Sequence, residues 1–135
     1  MSLFWIPLLL FLGAVGPLMV SRQGRSACAA VAALFPAATL AIVAFRIPRV
    51  FDGTIFRYEA DWIPTLGVNI AFRLDGLSLL FSTLILGIGL LVILYARYYL
   101  SDTDQVGRFY AYLLLFMASM VGVVLANNLL LLWFF

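Results

Sequence analysis

The sequence predicts an all-α polytopic membrane protein. It has four transmembrane helices, the start of a fifth, and an extramembrane β-hairpin between helices 2 and 3. Composition is the first observation: hydrophobic residues make up 66% of the chain and charged residues 10%, against about 45–50% and about 25% in ordinary soluble domains. The second observation is a set of long uncharged stretches, and the third is one polar segment in which apolar and polar residues alternate.

Each predicted span is built on an uncharged stretch close to the length that crosses a bilayer, about 20 residues. The clearest covers residues 76–96, which at about 1.5 Å rise per residue reach across roughly 30 Å of hydrocarbon. Within a single membrane domain at 1–135, the predicted spans are residues 3–20, 27–45, 76–98 and 109–126, and residues 128–135 begin the fifth.

The first span could instead be a cleaved signal peptide, but its charges are in the wrong place. A signal peptide carries cations before its apolar stretch, whereas here Arg22 and Arg25 follow it. We therefore expect a permanent helix, whose Gly13 and Gly16 allow close helix packing. Pro36 predicts a kink in the second span, because its ring removes one backbone hydrogen bond.

The uncharged stretch at residues 109–135 is too long for one span. Asn127 and Asn128 interrupt it, and asparagine favours caps and turns over helix interiors. We therefore expect one helix to end before the pair and another to begin after it. The second piece reaches only about 13 Å as a helix, so the chain has the character of a part of a longer protein.

The polar segment at residues 55–75 shows two runs of alternating apolar and polar residues around a Pro/Gly turn, which is typical of a β-hairpin. A three-residue loop at 65–67, with Gly67 in the left-handed conformation, predicts a register. That register places Tyr58 opposite Leu74, Trp62 opposite Ile70, Glu59 opposite Arg73 and Arg57 opposite Asp75. Because a lone hairpin is marginal in water, its apolar face should lie on the membrane domain.

The best polar candidates, Arg73 and Asp75, lie at the membrane boundary, and Arg57 and Glu59 accompany them. Asp75 precedes the uncharged stretch and is well placed as a helix N-cap. We interpret all four as structural residues that pair the hairpin and cap the helix. Elsewhere, Asp102 and Asp104 could form a cation-binding pair of carboxylates, although an exposed acidic loop is more often simply solvated.

Transport chemistry in a membrane needs ionisable side chains at depth, and the uncharged stretches contain none. The chain has no His and one cysteine, Cys28, so an internal disulfide and a cysteine zinc site are excluded. No catalytic set, cofactor motif, metal site or basic cluster for nucleic acid is visible. Taken alone, these residues form a scaffold.

Four motifs resemble a known family. They are WIP and LG within residues 62–67, FRLDGLS at 72–78, RFY at 108–110 and MVGVVLANNL at 120–129. Together they resemble the N-terminal part of the large MrpA-type (MnhA-type) component of multisubunit Na⁺/H⁺ antiporters. The Asp-Gly-Leu-Ser motif is also shared with the homologous NuoL-like chain of the proton-pumping NADH dehydrogenase, whereas the Asn-Asn pair is typical of the antiporter component.

The resemblance implies a component of a secondary transporter in the bacterial cell membrane, without a cofactor. It exchanges Na⁺ for H⁺ under the proton gradient and assembles with the other Mrp subunits, B to G. The family's proton path uses a glutamate on the fifth helix, beyond Phe135, so no residue of that path falls in this sequence. Alternatives are the NuoL-like chain of NADH:quinone oxidoreductase and a non-transporting membrane scaffold.

The arginines of the first loop indicate an orientation. Arg22 and Arg25 lie in a short loop without acidic neighbours, and such loops favour the inside of the membrane. The N-terminus and the hairpin should then lie outside.

Overall fold

A computed structural model describes residues 3–101 and 105–135 as a bundle of helices with one small sheet. In chain order the elements are α1 (Trp5–Gly13), α2 (Val15–Val20), α3 (Arg25–Ala44), α4 (Ile47–Phe51), β1 (Phe56–Ile63), β2 (Val68–Leu74), α5 (Gly76–Tyr99), α6 (Val106–Leu125) and α7 (Leu129–Phe134). Single 3₁₀ turns at Ser21–Gln23 and Pro64–Leu66 complete the described structure.

Within the described residues, four helical stretches are long and apolar enough to cross a membrane. They are Trp5–Gln23, Arg25–Phe51, Gly76–Tyr99 and Val106–Leu125. The antiparallel pair β1–β2 lies between the second and third stretches in the chain. The fold class that the sequence predicts, a polytopic helical membrane protein with one hairpin, is therefore confirmed.

The first span is divided into α1 and α2 at Ala14. Pro17 has no N–H to donate to the carbonyl of Gly13, so the ladder of backbone hydrogen bonds is interrupted there. Ala14 keeps helical dihedral angles, φ −62° and ψ −25°, and Trp5–Gln23 forms one apolar helical stretch. In the second span α3 is continuous through Pro36, and the kink expected there stays a prediction.

Close packing of the first two spans depends on glycines that leave room for side chains of α3. A Cβ on Gly13 would lie 2.5 Å from Cγ of Phe35, and a Cβ on Gly16 would lie 2.8 Å from Cγ1 of Val31. Both distances are far below van der Waals contact. The prediction that these glycines serve close helix packing is confirmed.

The core lies between the helices and extends to the inner face of β2. Its most deeply buried side chains include Ile6, Leu10, Val43, Leu74, Leu86 and Leu114. The outward faces of the long helices are also apolar, as the exposed Leu84, Leu91 and Leu94 of α5 show. A soluble domain does not expose an apolar surface of this extent, whereas a lipid-facing helix does.

The hairpin forms, but its predicted register is wrong by two residues. Phe56 faces Leu74 and Tyr58 faces Phe72, so Tyr58 does not lie opposite Leu74. Ile70 faces Ala60, whereas Trp62 has no directly opposite partner. The charged pairs also change, because Glu59 faces Ala71 and Arg57 faces Arg73.

Two local features produce the shift. The turn holds four residues, Pro64 to Gly67, and the first pair beyond it is Ile63 with Val68. A bulge between Asp61 and Ile63 then adds a second step. Because side chains alternate with a period of two, a two-residue shift leaves the apolar face unchanged. Gly67 has φ +66°, the left-handed conformation that the sequence predicts for it.

Candidate functional site

The polar side chains that the sequence singles out meet where β2 enters α5. Asp75 is extended and its Oδ1 accepts a hydrogen bond of 2.9 Å from the backbone N–H of Ser78. Its other oxygen, Oδ2, lies 3.1 Å from a terminal nitrogen of Arg73. Asp75 therefore caps the third span and pairs with Arg73 at the same time, using one oxygen for each.

Hydrogen bonds hold the pKa of Asp75 below its ordinary value. The backbone N–H of Ser78 is the largest cause, and the charge of Arg73 acts in the same direction, whereas partial burial opposes them. A carboxylate stabilised in this way stays ionised near neutral pH. In its ionised form Asp75 is a good acceptor for the N–H groups at the start of a helix.

The other two candidates lie on β1, where Arg57 is directly opposite Arg73 and Glu59 is opposite Ala71. Arg57 and Glu59 are exposed on the outer face of β1, and the register brings neither of them opposite a residue of opposite charge. The predicted pairs of Glu59 with Arg73 and of Arg57 with Asp75 are wrong for that reason. The partner of Asp75 is its neighbour on the same strand, Arg73.

Sequence reasoning missed a contact of the free edge of β2 with the end of α6. Ala126 leaves the helix in an extended conformation and forms an antiparallel bridge with Phe72. The N–H of Asn127 donates to the carbonyl of Ala71 over 2.9 Å. The asparagine pair indicates a break in the helix, but a contact between residues more than 50 positions apart leaves no local signal.

Asn128 uses both ends of its side-chain amide. Its Oδ1 accepts a 2.7 Å hydrogen bond from the N–H of Leu131 and so caps α7. Its Nδ2 donates to the carbonyl of Asn69 on β2. One side chain thus joins the first turn of α7 to the hairpin.

The hydroxyls at the start of α5 act in different ways. Ser78 donates to the carbonyl of Val124 near the end of α6 over 3.1 Å, so it joins two spans. Thr83 donates to the carbonyl of Leu79 on its own helix over 2.8 Å. Ser82 is fully buried, and its hydroxyl has no hydrogen-bond partner within the described part of the chain.

An aromatic cluster supports the junction from the membrane side. The ring of Phe72 lies 6.1 Å from that of Phe4 and 6.2 Å from that of Phe135, and Phe4 in turn lies 6.4 Å from Tyr58. The hairpin therefore packs its apolar face on the membrane domain. An apolar cavity of about 470 Å³ between α1, β2 and α7 adjoins the cluster.

The described residues contain no group of three potential metal ligands. Arginines of the long helices lie at their ends: Arg25 begins α3, Arg97 lies in the last turn of α5 and Arg108 in the first turn of α6. Arg97 lies over the Tyr98 ring at 5.7 Å, as a cation at a membrane interface does. Asp102 and Asp104 lie outside the described residues.

Comparison with known proteins gives one family and several close relatives. Residues 62–110 match the family described as NADH-ubiquinone oxidoreductase (complex I), chain 5 N-terminus. A probable K⁺/H⁺ antiporter A/B subunit of Rhizobium meliloti (strain 1021) is 50% identical over 101 residues, which is 71% of this chain and 10% of the relative. The Na⁺/H⁺ antiporter A1 subunit of Staphylococcus haemolyticus (strain JCSC1435) is 57% identical over 75 residues, 56% of this chain and 9% of the relative.

The fold is also similar to a solved structure. A chain in the structure of the Mrp complex from Dietzia sp. DQ12-45-1b matches with a TM-score of 0.82 and 30% identity, over 97% of this chain and 14% of that chain. This chain therefore spans about a tenth of the length of the curated relatives named above. The shared sequence, the shared fold and the matching family place the chain in the MrpA-type family of antiporter components, as an N-terminal segment.

Proposed function

We propose that the chain is part of the MrpA-type component of a multisubunit monovalent cation/proton antiporter, a secondary transporter driven by the proton gradient. The observation that carries this proposal is the sequence identity to antiporter components of this type over most of the chain. The whole assembly would exchange Na⁺ for H⁺, and its partners would be the other Mrp subunits, B to G. The chain itself would work as a transporter component and catalyse no covalent reaction.

Within that assembly the chain would supply structure and no proton-carrying group. Its long helices carry their arginines at the ends, and the hydrogen bonds of Asp75 favour its ionised form. In this proposal Arg73 and Asp75 fix the junction of the hairpin with the third span. Arg57 and Glu59 are solvated side chains on the outer face of the hairpin.

One observation favours a second candidate function. The matching family is described by a chain of complex I, and the NuoL-like chain pumps protons in a redox-driven enzyme. The Asp-Gly-Leu-Ser motif at residues 75–78 is common to both groups. The relatives named as antiporter components match a longer part of the chain than residues 62–110, so the antiporter is our first choice.

Expression of the complete operon in a sodium-sensitive host tests both candidates. The antiporter predicts growth in sodium and a sodium-dependent collapse of the pH gradient in everted vesicles. NADH oxidation that generates a pH gradient, without sodium tolerance, would support the redox-driven pump instead. Vesicles that show neither activity, although the assembled complex is present, would favour a non-transporting scaffold.

We further propose that the segment lies in the bacterial cell membrane with its N-terminus outside. The short loop around Ser21–Gln23 carries Arg22 and, next to it, Arg25, and basic residues in short loops favour the cytoplasmic side. The even number of spans before the hairpin then puts the hairpin on the outer surface together with the N-terminus.

A further inference from the structure

We propose that Asn128 is a positioning residue, which fixes the start of α7 to the hairpin so that the two move as one unit. The juxtaposition consists of three hydrogen bonds, which we call the β2–α7 clamp. They run from the N–H of Asn127 to the carbonyl of Ala71, from Nδ2 of Asn128 to the carbonyl of Asn69, and from the N–H of Leu131 to Oδ1 of Asn128.

The backbone in the clamp leaves little freedom to the chain between α6 and α7. Ala126 and Asn128 are both extended, with φ −61° and −138° and ψ 130° and 159°. Their backbone runs antiparallel to β2 at the bridge of Ala126 with Phe72. Because β1 occupies the other edge of β2, the strand is held on both sides. The clamp therefore works as a short third strand.

The side chain of Asn128 gives the clamp a connection that a backbone alone does not have. An amide offers an acceptor and a donor on opposite sides, and here the acceptor caps α7 while the donor reaches β2. A serine or an aspartate would cap the helix equally well but would offer no N–H to Asn69. The requirement for both contacts at once is what selects asparagine at this position.

Packing on the membrane side reinforces the same connection. Phe135, which follows α7, lies 6.2 Å from Phe72 of β2 and 6.1 Å from Phe11 of α1, measured between ring centroids. Its ring also fills the space beside Gly122, where a Cβ would come within 2.4 Å of it. A shift of β2 would therefore displace the start of α7 through Asn128 and the end of α7 through Phe135.

The neighbouring residue provides a matched control. The side chain of Asn127 makes no hydrogen bond within residues 3–101 and 105–135, and only its backbone N–H takes part in the clamp. Asn127→Ala should leave all three hydrogen bonds in place. Asn128→Ala removes two of them, and Asn128→Asp removes only the donor to Asn69.

Hydrogen–deuterium exchange on the purified, full-length complex measures the clamp directly. In Asn128→Ala we expect the Leu131 amide to exchange roughly tenfold faster than in the unmodified protein, as the loss of a cap implies. The Asn127 amide should also exchange faster, because its bond to Ala71 loses the support of the neighbouring bond to Asn69. In Asn128→Asp we expect the Leu131 amide to keep its protection, while the Asn127 amide exchanges faster because its bond to Ala71 loses the support of the neighbouring bond to Asn69. In Asn127→Ala the amides of residues 127 and 131 should exchange at the same rate as in the unmodified protein.

A transport readout separates positioning from simple support, and it rests on the proposed function. We expect Asn128→Ala and Asn128→Asp to shift the apparent KM for the cation or the pH of half-maximal exchange by at least about threefold or about 0.5 pH unit. This shift should occur at an unchanged amount of assembled complex. These thresholds correspond to a change of roughly 0.7 kcal/mol.

Unchanged exchange at both amides in Asn128→Ala would overturn the clamp. Faster hydrogen exchange at these amides, with an unaltered KM and pH profile of transport, would overturn the positioning role. Asn128 would then be a helix cap only. If Asn128→Ala does not assemble, Asn128→Asp decides by the same two measurements, because it keeps the cap. If the unmodified complex shows no exchange of cations, the proposed function fails, while the hydrogen exchange still decides the clamp.

Discussion

At the residue scale, single side chains stabilise the first turns of helices by satisfying backbone groups where the helices begin. Asp75 and Asn128 do this for α5 and α7 with hydrogen bonds of 2.9 and 2.7 Å. α5 is one of the four described stretches that are long and apolar enough to cross a membrane, where an unpaired N–H is costly. The sequence places Asp75 correctly because capping depends only on neighbouring residues.

The cap at Asp75 gives a stability prediction. Replacing Asp75 by Ala removes the acceptor for Ser78 and should cost about 1 kcal/mol, together with the contact to Arg73. Replacing it by Asn keeps an N-cap acceptor and should cost less. Thermal unfolding of the MrpA-type component in the purified complex, followed by loss of the assembled species, measures the order. Equal midpoints for Asp75→Ala and the unmodified protein would contradict it.

The pKa of the same carboxyl gives a prediction on pH. Since that pKa is lower in the folded than in the unfolded chain, its contribution to stability is complete above the unfolded value of about 3.9 and is lost as the pH falls below it. The difference in midpoint between the unmodified protein and Asp75→Asn should therefore be equal at pH 6 and pH 8. A difference that changes between these two values would show that Asp75 titrates there.

Glycines that receive a neighbouring side chain give a third prediction. A Cβ on Gly13 would overlap Phe35, whereas a Cβ on Gly87 would meet no atom within 4 Å. Gly13→Ala should destabilise the packing of the first span on the second by about 1–3 kcal/mol. Gly87→Ala should be neutral or slightly stabilising, because alanine favours a helix. The yield of assembled complex and its thermal midpoint compare the two variants, and equal loss in both would refute the close approach.

At the scale of elements, the spans follow from the sequence more readily than the hairpin register does. A stretch of uncharged residues long enough to cross a bilayer can satisfy its backbone groups in lipid only as a helix or in a closed barrel, so α5 and α6 are evident from composition alone. A register depends on one turn and one bulge. The bulge near Trp62 and the four-residue turn before Val68 each move it by one step, and a two-residue shift leaves no trace in the pattern of apolar residues.

The candidate site likewise contains contacts that the sequence predicts and contacts that it does not predict. The cap by Asp75 and the helix break at Asn127 depend on nearby residues and are visible in the sequence. The bridge between Phe72 and Ala126 depends on how α6 packs beside the hairpin, and no spacing in the chain encodes it. The ion pair of Arg73 with Asp75 was missed because the expected register gave Asp75 to Arg57.

Disulfide formation tests the observed register. In a background with Cys28 replaced by Ala, the pair Glu59→Cys and Ala71→Cys should crosslink readily, since directly opposite residues have Cβ atoms about 4.5–5.5 Å apart. The pair Glu59→Cys and Arg73→Cys, on the same face but one pair further along, should crosslink far less. Electrophoresis with and without reductant measures both crosslinks. The reverse preference would support the register predicted from the three-residue loop at 65–67.

At the scale of the whole molecule, the segment combines a lipid-facing bundle with polar structure at both membrane surfaces. Phe4, the hairpin and Asn127 lie on one side, because Phe4 packs on Tyr58 and Asn127 bonds to Ala71. The turn at Ser21–Gln23 lies at the opposite ends of the spans. Contacts on both sides of the bundle therefore fix how the helices lie relative to one another.

The proposed orientation can be decided by labelling single cysteines from one side of the membrane. Gln23 and Thr65 are both exposed and lie on opposite surfaces, so Gln23→Cys and Thr65→Cys form a matched pair in a background with Cys28 replaced by Ala. With the short arginine loop inside, a membrane-impermeant maleimide added to intact cells should label position 65 and leave position 23 unlabelled until the cells are opened. Everted vesicles should give the reverse pattern. Labelling of position 23 in intact cells, with position 65 protected, would invert the topology and place the hairpin, the clamp and Asp75 in the cytoplasm.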